Sequence, residues 1–511
     1  MVRFFGRIFE KADKTPNLCT STDDFSVEIN PTSRPSFLSH EKRLFLCRYM
    51  PLVSIICFLL WTISLRSDFS WDDADPEILD LSWRMAQGQD IYRGINEMPF
   101  VFSNHSPLYF ALSAFLLKFT GLSFIPPRLI SFIAFIFIAW ALVRFSRMWN
   151  KSGWTGVWAA FLLLMIPAFL YNSARCHPHM LAVAFSIWSF WAFLQNRWFY
   201  TLILSPLLTL LAIYTKQTQI MLPIAMVLYL VLRNRKWVAP YISVLAIGGL
   251  IPFLWLQKIT DGNFYYNIIA LAKLSYNALV VPGIFIHHAG PLFIFIGIAV
   301  FFLFKRLKNC NFEEIDSYLL IVIPFTLITL GRPGAHGQYV VELLVVVLIY
   351  LIRMPISLKT AGKNTWVSVQ ILIFFIYTPL FVLFEEGYYQ RAANHAYPEI
   401  YRMLENTSGP ILSQQGSFPL FTRGEIYVQL FDFAGLSRTG LWDQKHLLNE
   451  IEKQTFSHVI TEFPIHESIG GDDERERFTP EITEAITTRY MLAKEVYPYY
   501  IYQPGLRQHT E

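Results

Sequence analysis

Cysteine is scarce in this chain and charge is thin. The five cysteines (Cys19, Cys47, Cys57, Cys176 and Cys310) have no paired spacing, and the polar C-terminal stretch holds none. Neither a disulfide framework nor a thiolate metal site is therefore expected. Charged residues fill 16% of the 511 positions, against roughly 25% in soluble domains. The net charge of +4 is small, and the basic residues stand at the ends of apolar runs rather than on one face. That pattern reports membrane orientation and gives no footing for nucleic acid. No cleavable leader is evident, because residues 1–43 are polar and rich in Pro and Ser; they read as a disordered cytoplasmic tail. No internal repeat of either orientation is visible, whereas a secondary transporter more often shows one.

What the chain has in abundance is apolar length. Hydrophobic residues make up 54% and phenylalanine alone accounts for 45 positions. About eleven apolar windows approach the roughly 20 residues that cross a bilayer. They lie near 45–65, 128–147, 154–171, 179–195, 200–214, 218–232, 239–257, 289–304, 317–331, 339–352 and 365–384. A further run, 106–120, is read as an interfacial or re-entrant helix on the outer face. With that choice, thirteen basic residues fall in the inner short loops (Arg144, Arg147, Lys151, Arg197, Arg233, Arg235, Lys236, Lys305, Arg306, Lys308, Arg353, Lys359 and Lys363). Five are left outside: Arg175, Lys216, Lys258, Lys273 and Arg332. The asymmetry follows the positive-inside rule, with the N-terminus cytoplasmic. The predicted fold is an all-α polytopic membrane protein of about eleven transmembrane helices plus an outer interfacial helix, with a small C-terminal α/β extramembrane module. The predicted domains are the tail 1–43, a membrane domain 44–384 that includes the outer loop 66–127, and the module 385–511. Within the module, strands are predicted at 411–413, 457–461 and 498–503, and helices at 443–454 and 480–494.

The residues suited to chemistry gather on the outer side. Trp71-Asp72-Asp73-Ala74-Asp75-Pro76-Glu77 puts four carboxylates in seven residues just after the first apolar run. Such a loop either caps a helix in solvent or holds a base at the mouth of a membrane cavity. Arg128, Arg175, Lys216 and Arg332 stand at outer ends of apolar helices, where they either snorkel to the headgroups or face a polar cavity. A phosphate-linked sugar donor uses both kinds of charge. Cations stabilise the departing phosphate, and a carboxylate takes or orients the proton of an acceptor hydroxyl. The outer histidines (His105, His177, His179, His287, His288 and His336) include no pair at i, i+4 with a carboxylate fixed beside it, so they read as cavity lining and no metal is expected.

Several segments carry a family likeness. After the acidic loop come Gly88-Gln89-Asp90-Ile91-Tyr92, Ser106-Pro107-Leu108-Tyr109 and Pro127-Arg128-Leu129-Ile130-Ser131, then Tyr214-Thr215-Lys216-Gln217-Thr218 and the turn Gly331 to Glu342. This order resembles the polyprenyl-phosphate-sugar-dependent membrane glycosyltransferases of the C superfamily, which include the protein mannosyltransferases and the aminoarabinose transferase of lipid A. The resemblance runs over most of residues 60–350. It implies a glycosyltransferase without a cofactor, in a bacterial plasma membrane, that carries a sugar from polyprenyl phosphate to a glycan, lipid or protein acceptor. It also implies a catalytic carboxylate at Asp75 or Glu77, with Asp73 next. Lys216, Arg128, Arg332 and Arg175 match the donor-phosphate side, and His105, Tyr109, His179, Gln217, Gln338 and Tyr339 the substrate cavity. The chain departs from the family where Pro76 follows Asp75, where His177 or His179 replaces an acidic residue near Arg175, and where Gln338 stands for Asn. The rival readings are a polytopic transporter or lipid flippase, and a noncatalytic assembly or receptor subunit.

Overall fold

A computed structural model describes residues 49, 51–56, 58–59, 70, 74–149, 151, 153–270, 276–332, 334–354, 365–381, 387–465 and 477–505. The expected N-terminal tail, Asp73 and the 384/385 domain boundary lie outside these residues. The first described helices belong to the loop expected on the outer face: α1 (Ala74–Ala86) and α2 (Leu108–Thr120). Helix α2 turns Tyr109, Phe110, Ser113, Ala114 and Leu117 inward and leaves Leu112, Phe115 and Phe119 bare. Its 13 residues span about 20 Å. That is too short for a bilayer core and suits an amphipathic helix at an interface.

The helical body follows. It comprises α3 (Ile125–Met148), α4 (Gly153–Leu163), α5 (Pro167–Ser173), α6 (His179–Phe193), α7 (Ser205–Thr215, led by a π-helical turn Tyr200–Leu204) and α8 (Met221–Arg233). Beyond these come α9 (Val238–Ile259), α10 (Val281–Ala289), α11 (Phe293–Lys308), α12 (Glu314–Thr329), α13 (Val341–Arg353) and α14 (Thr365–Leu380). Among the described residues, three stretches are long and apolar enough to cross a membrane: 125–148, 235–259 and 281–308. The number rises to four if the pair α4 and α5, bent by 75°, counts as one. The bend comes where Pro167 opens α5, since proline has no N–H to continue the preceding ladder. Apolar side chains face outward over much of this body. Ile247, Ile251, Leu254 and Trp255 of α9 are each more than half exposed, as lipid-facing residues are. One buried cluster, running from Ala134 through Val341–Ile349 to Phe374, holds α3, α6, α8, α12 and α13 together. At one end of these helices Glu313 receives both Arg306 and Arg353, and Asp316 accepts from Arg306 Nε (3.0 Å) and from the Tyr350 hydroxyl (2.8 Å). This clamp fixes the register of α11, α12 and α13.

The C-terminal part begins with α15 (Gly387–Glu405) and carries a four-stranded mixed sheet, β1 (Ile411–Ser413), β2 (His458–Thr461), β3 (Tyr490–Val496) and β4 (Tyr499–Pro504), ordered β1-β2-β4-β3. Helices α16 (Ser417–Arg423), α17 (Leu430–Arg438), α18 (Lys445–Glu452) and α19 (Pro480–Arg489) cover it. The predicted strands at 411–413, 457–461 and 498–503 and the helix at 443–454 match β1, β2, β4 and α18. The helix predicted over 480–494 needs correction: it ends at Arg489, and residues 490–496 form the edge strand β3. The helix-favouring Leu492, Ala493, Lys494 and Glu495 are outweighed by the β3–β4 hairpin ladder. This part docks on the outer loop. The Phe100 N–H donates to Tyr427 O (2.8 Å), the Phe102 N–H donates to Gln429 Oε1 (2.9 Å), and Arg84 Nη2 donates to Ile426 O (3.1 Å).

Candidate functional site

Helix α1 starts at Ala74, so Asp75 stands in its first turn, where a carboxylate meets the positive end of the helix dipole. Its side chain has no exposed surface. Two elements close on it. The Cys176 N–H, from the loop between α5 and α6, donates to Oδ1 (3.0 Å), and His177 Nε2 lies 3.5 Å from the same oxygen. Arg175 Nη1 and Arg128 Nη2 face Oδ2 at 3.7 and 3.6 Å. Local sequence sets each arm. Pro126 and Pro127 fit the first turn of α3, where no N–H is needed, and deliver Arg128 there. The Tyr109 hydroxyl donates to Pro127 O (2.8 Å) and fixes that turn to α2. Both guanidiniums stack on aromatic rings, Arg128 over Phe124 (4.4 Å) and Arg175 over Tyr171 (4.0 Å).

A second pole forms around Lys216, in the turn between α7 and α8. Lys216 is 2% exposed, its Nζ lies 2.5 Å from Nδ1 of His179, and it sits over the Tyr339 ring at 4.1 Å. Burial pushes its pKa well down; Arg332 adds to that and Glu342 opposes it. His177 and His179 flank Pro178, with ring centroids 5.7 Å apart. His177 and His179 thus stand between Asp75 and Lys216, the first beside the carboxylate and the second beside the ammonium. His105 stands 6.2 Å from His179, and its pKa is lowered by burial and then by Lys216 and His177. Gln217 Nε2 donates to Asn104 O (2.6 Å), tying the Lys216 turn to the loop that holds His105.

The residues expected from the sequence thus separate. Asp75, Arg128, Arg175, His179, Lys216, His105 and Tyr339 come together, with Tyr109 and Gln217 bracing them. Arg332 is exposed and acts on Lys216 through its charge. Gln338 donates to Gly334 O (3.1 Å) within its own turn. Glu77, two residues after Asp75 and so on another face of α1, lines a cleft with Ser413, Gln414 and Arg477 of the C-terminal part. Glu342 and the Cys176 N–H are members that the sequence reading gave no role. Glu342 was discernible as a lone carboxylate in the apolar helix α13, whereas no sequence signal marks a backbone donor. Among the described residues, no group of three or more His, Cys, Asp or Glu is placed to hold a metal ion.

Comparison with known proteins adds sequence and fold. Residues 104–256 match the dolichyl-phosphate-mannose-protein mannosyltransferase family. The segment includes His105, Tyr109, Arg128, Arg175, His177, His179 and Lys216. No curated protein matches the chain by sequence. In fold it is similar to ArnT from Cupriavidus metallidurans bound to undecaprenyl phosphate, with a TM-score of 0.62 at 11% identity over 88% of this chain and 97% of that one. The apo state of the same enzyme gives 0.60 at 12% identity with equal coverage. The resemblance to the polyprenyl-phosphate-sugar-dependent membrane glycosyltransferases is therefore borne out, by sequence over residues 104–256 and by fold over most of the chain.

Proposed function

We propose that this protein moves one sugar from a polyprenyl phosphate to a glycan, lipid or protein acceptor on the non-cytoplasmic side of a bacterial plasma membrane. The observation that carries the reading is the pairing of two poles, Asp75 and Lys216, joined by His177 and His179 inside a segment with the mannosyltransferase pattern. Eleven spans with a cytoplasmic N-terminus put this site on the outer face, and residues 385–511 form the module that covers it. The bound state of ArnT makes undecaprenyl phosphate the natural probe of the donor site.

Transfer is a direct displacement. The acceptor oxygen attacks the anomeric carbon while the bond from that carbon to the phosphate oxygen breaks, and the electron pair leaves with the polyprenyl phosphate. Lys216, with the field of Arg332, meets the growing phosphate charge. Asp75 orients the acceptor hydroxyl and receives its proton. Arg128 and Arg175 hold the carboxylate in place.

Asp75→Asn keeps the shape and removes the charge. It lowers turnover by roughly 10²- to 10⁴-fold in a purified assay, the range for a lost general base. Because the substitution leaves two buried guanidiniums facing a neutral amide, thermal stability and undecaprenyl phosphate binding are measured alongside. Glu77→Gln, on the other face of α1, transfers sugar within a few-fold of the parent. Parental turnover in Asp75→Asn overturns the assignment and favours the transporter reading.

A further inference from the structure

Helix α13 contains one carboxylate, Glu342, in its first turn, followed by Leu343 to Ile349 without a polar residue. Glu342 is 2% exposed. A buried charge in such a helix is costly and marks function by default. Two side chains are aimed at the Glu342 carboxylate. The Tyr318 hydroxyl donates to Oε1 at 2.5 Å, and the Gln219 side chain hydrogen-bonds to the same carboxylate. Gln219 is itself oriented: its Oε1 accepts from the Ser186 hydroxyl (2.9 Å), which leaves its amide NH₂ to donate. Donors aimed at a carboxylate favour its ionised state and offset part of the cost of burying it.

This carboxylate lies beside the Lys216 pole. Gln219 donates its backbone N–H to Lys216 O (3.0 Å), and Tyr339, whose ring Lys216 covers, lies one turn before Glu342. Among the described residues, the other groups facing Lys216 are the His179 and His105 imidazoles and the Arg332 guanidinium, none of them anionic. We infer that Glu342 is a positioning residue for sugar transfer, the buried counter-charge that keeps the Lys216 ammonium protonated in the empty site and ready for a donor phosphate. The inference rests on Lys216 as the phosphate contact. It assigns Glu342 no contact with substrate.

The sign of the effect follows from Lys216. Burial and Arg332 favour its neutral form and Glu342 favours its charged form. Removing the carboxylate therefore moves deprotonation of Lys216 to lower pH, and phosphate affinity is lost earlier as pH rises. The test is the affinity of the purified full-length protein for undecaprenyl phosphate across pH 6 to 9. Glu342→Gln is expected to weaken binding about tenfold or more at the alkaline end and to recover toward the parent at the acid end, where one pKa unit corresponds to a tenfold change. Tyr318→Phe, which removes one donor, shifts the curve in the same direction by less. In a Lys216→Arg background, whose guanidinium does not titrate here, Glu342→Gln leaves the pH dependence unchanged.

An unaltered pH curve in Glu342→Gln, or the same shift with Arg at 216, overturns the inference. If Lys216→Ala itself binds undecaprenyl phosphate like the parent at every pH, the phosphate-contact reading falls, and the inference with it. Weak binding by Lys216→Ala beside an unaltered Glu342→Gln curve sinks the inference alone.

Discussion

Lys216 shows how one side chain acquires a task from its neighbours. Alone at the end of an apolar helix it reads as a snorkelling cation, but a side chain 2% exposed has no route to the headgroups. The His179 ring, the Tyr339 face and the field of Glu342 hold it instead. The aromatic contact can be tested separately. Tyr339→Phe retains the ring and keeps donor affinity within a few-fold, whereas Tyr339→Leu removes it and weakens affinity for undecaprenyl phosphate by roughly 3- to 30-fold, the range of about 0.5–2 kcal/mol for a cation over an aromatic face. Equal affinities for the two variants in a binding titration refute a role for the ring. Residue types and their order made Lys216, Arg128, Arg175 and Asp75 candidates in the sequence. Which carboxylate meets the arginines was not legible there, because it depends on the rotation of α1: Asp75 and Glu77 are two positions apart and face different partners.

At the scale of elements, α1 serves two partners, since one face enters the site and another carries the C-terminal part. Asp80, fully buried, accepts from Arg84 Nε (2.8 Å), and its Oδ1 accepts the Ile426 N–H (3.3 Å). Burial raises the Asp80 pKa to about 6, despite the opposing charge and hydrogen bond of Arg84. The folded protein therefore holds a proton here that the unfolded chain has released. The stability from this group is complete below about pH 4 and is lost as pH rises to about 6. Unfolding measured across that window should show this slope in the parent and not in Asp80→Asn; identical slopes refute the assignment. Helices with sustained apolar runs were readable from sequence because burial in lipid or core demands one composition. Strand β3 was not, because Leu492, Ala493, Lys494 and Glu495 favour helix locally and only the distant partner β4 makes them a strand.

Across the whole molecule, the proposed topology gathers the outer loop, the Lys216 turn and the C-terminal sheet on one side of the membrane. The packing of Phe100 and Phe102 against Val428 and Phe433 makes the outer loop and the C-terminal part a single body. Labelling of single cysteines introduced at positions 90, 430 and 235 is expected to find the first two accessible from the same, non-cytoplasmic side and the third from the other. Opposite sides for 90 and 430 contradict both the loop packing and the eleven-span arrangement.

The complete burial of Asp75 has a consequence for fidelity. A transferase that binds an activated sugar risks spending it on water, the smallest and most abundant nucleophile. If Asp75 is the base, as proposed, it is shut away from solvent behind Arg128, Arg175 and the Cys176–His177 loop. Water outside those walls then meets no base. On that assignment, an acceptor that displaces those walls reaches the base where water does not, and the ratio of transfer to hydrolysis is set by the fold.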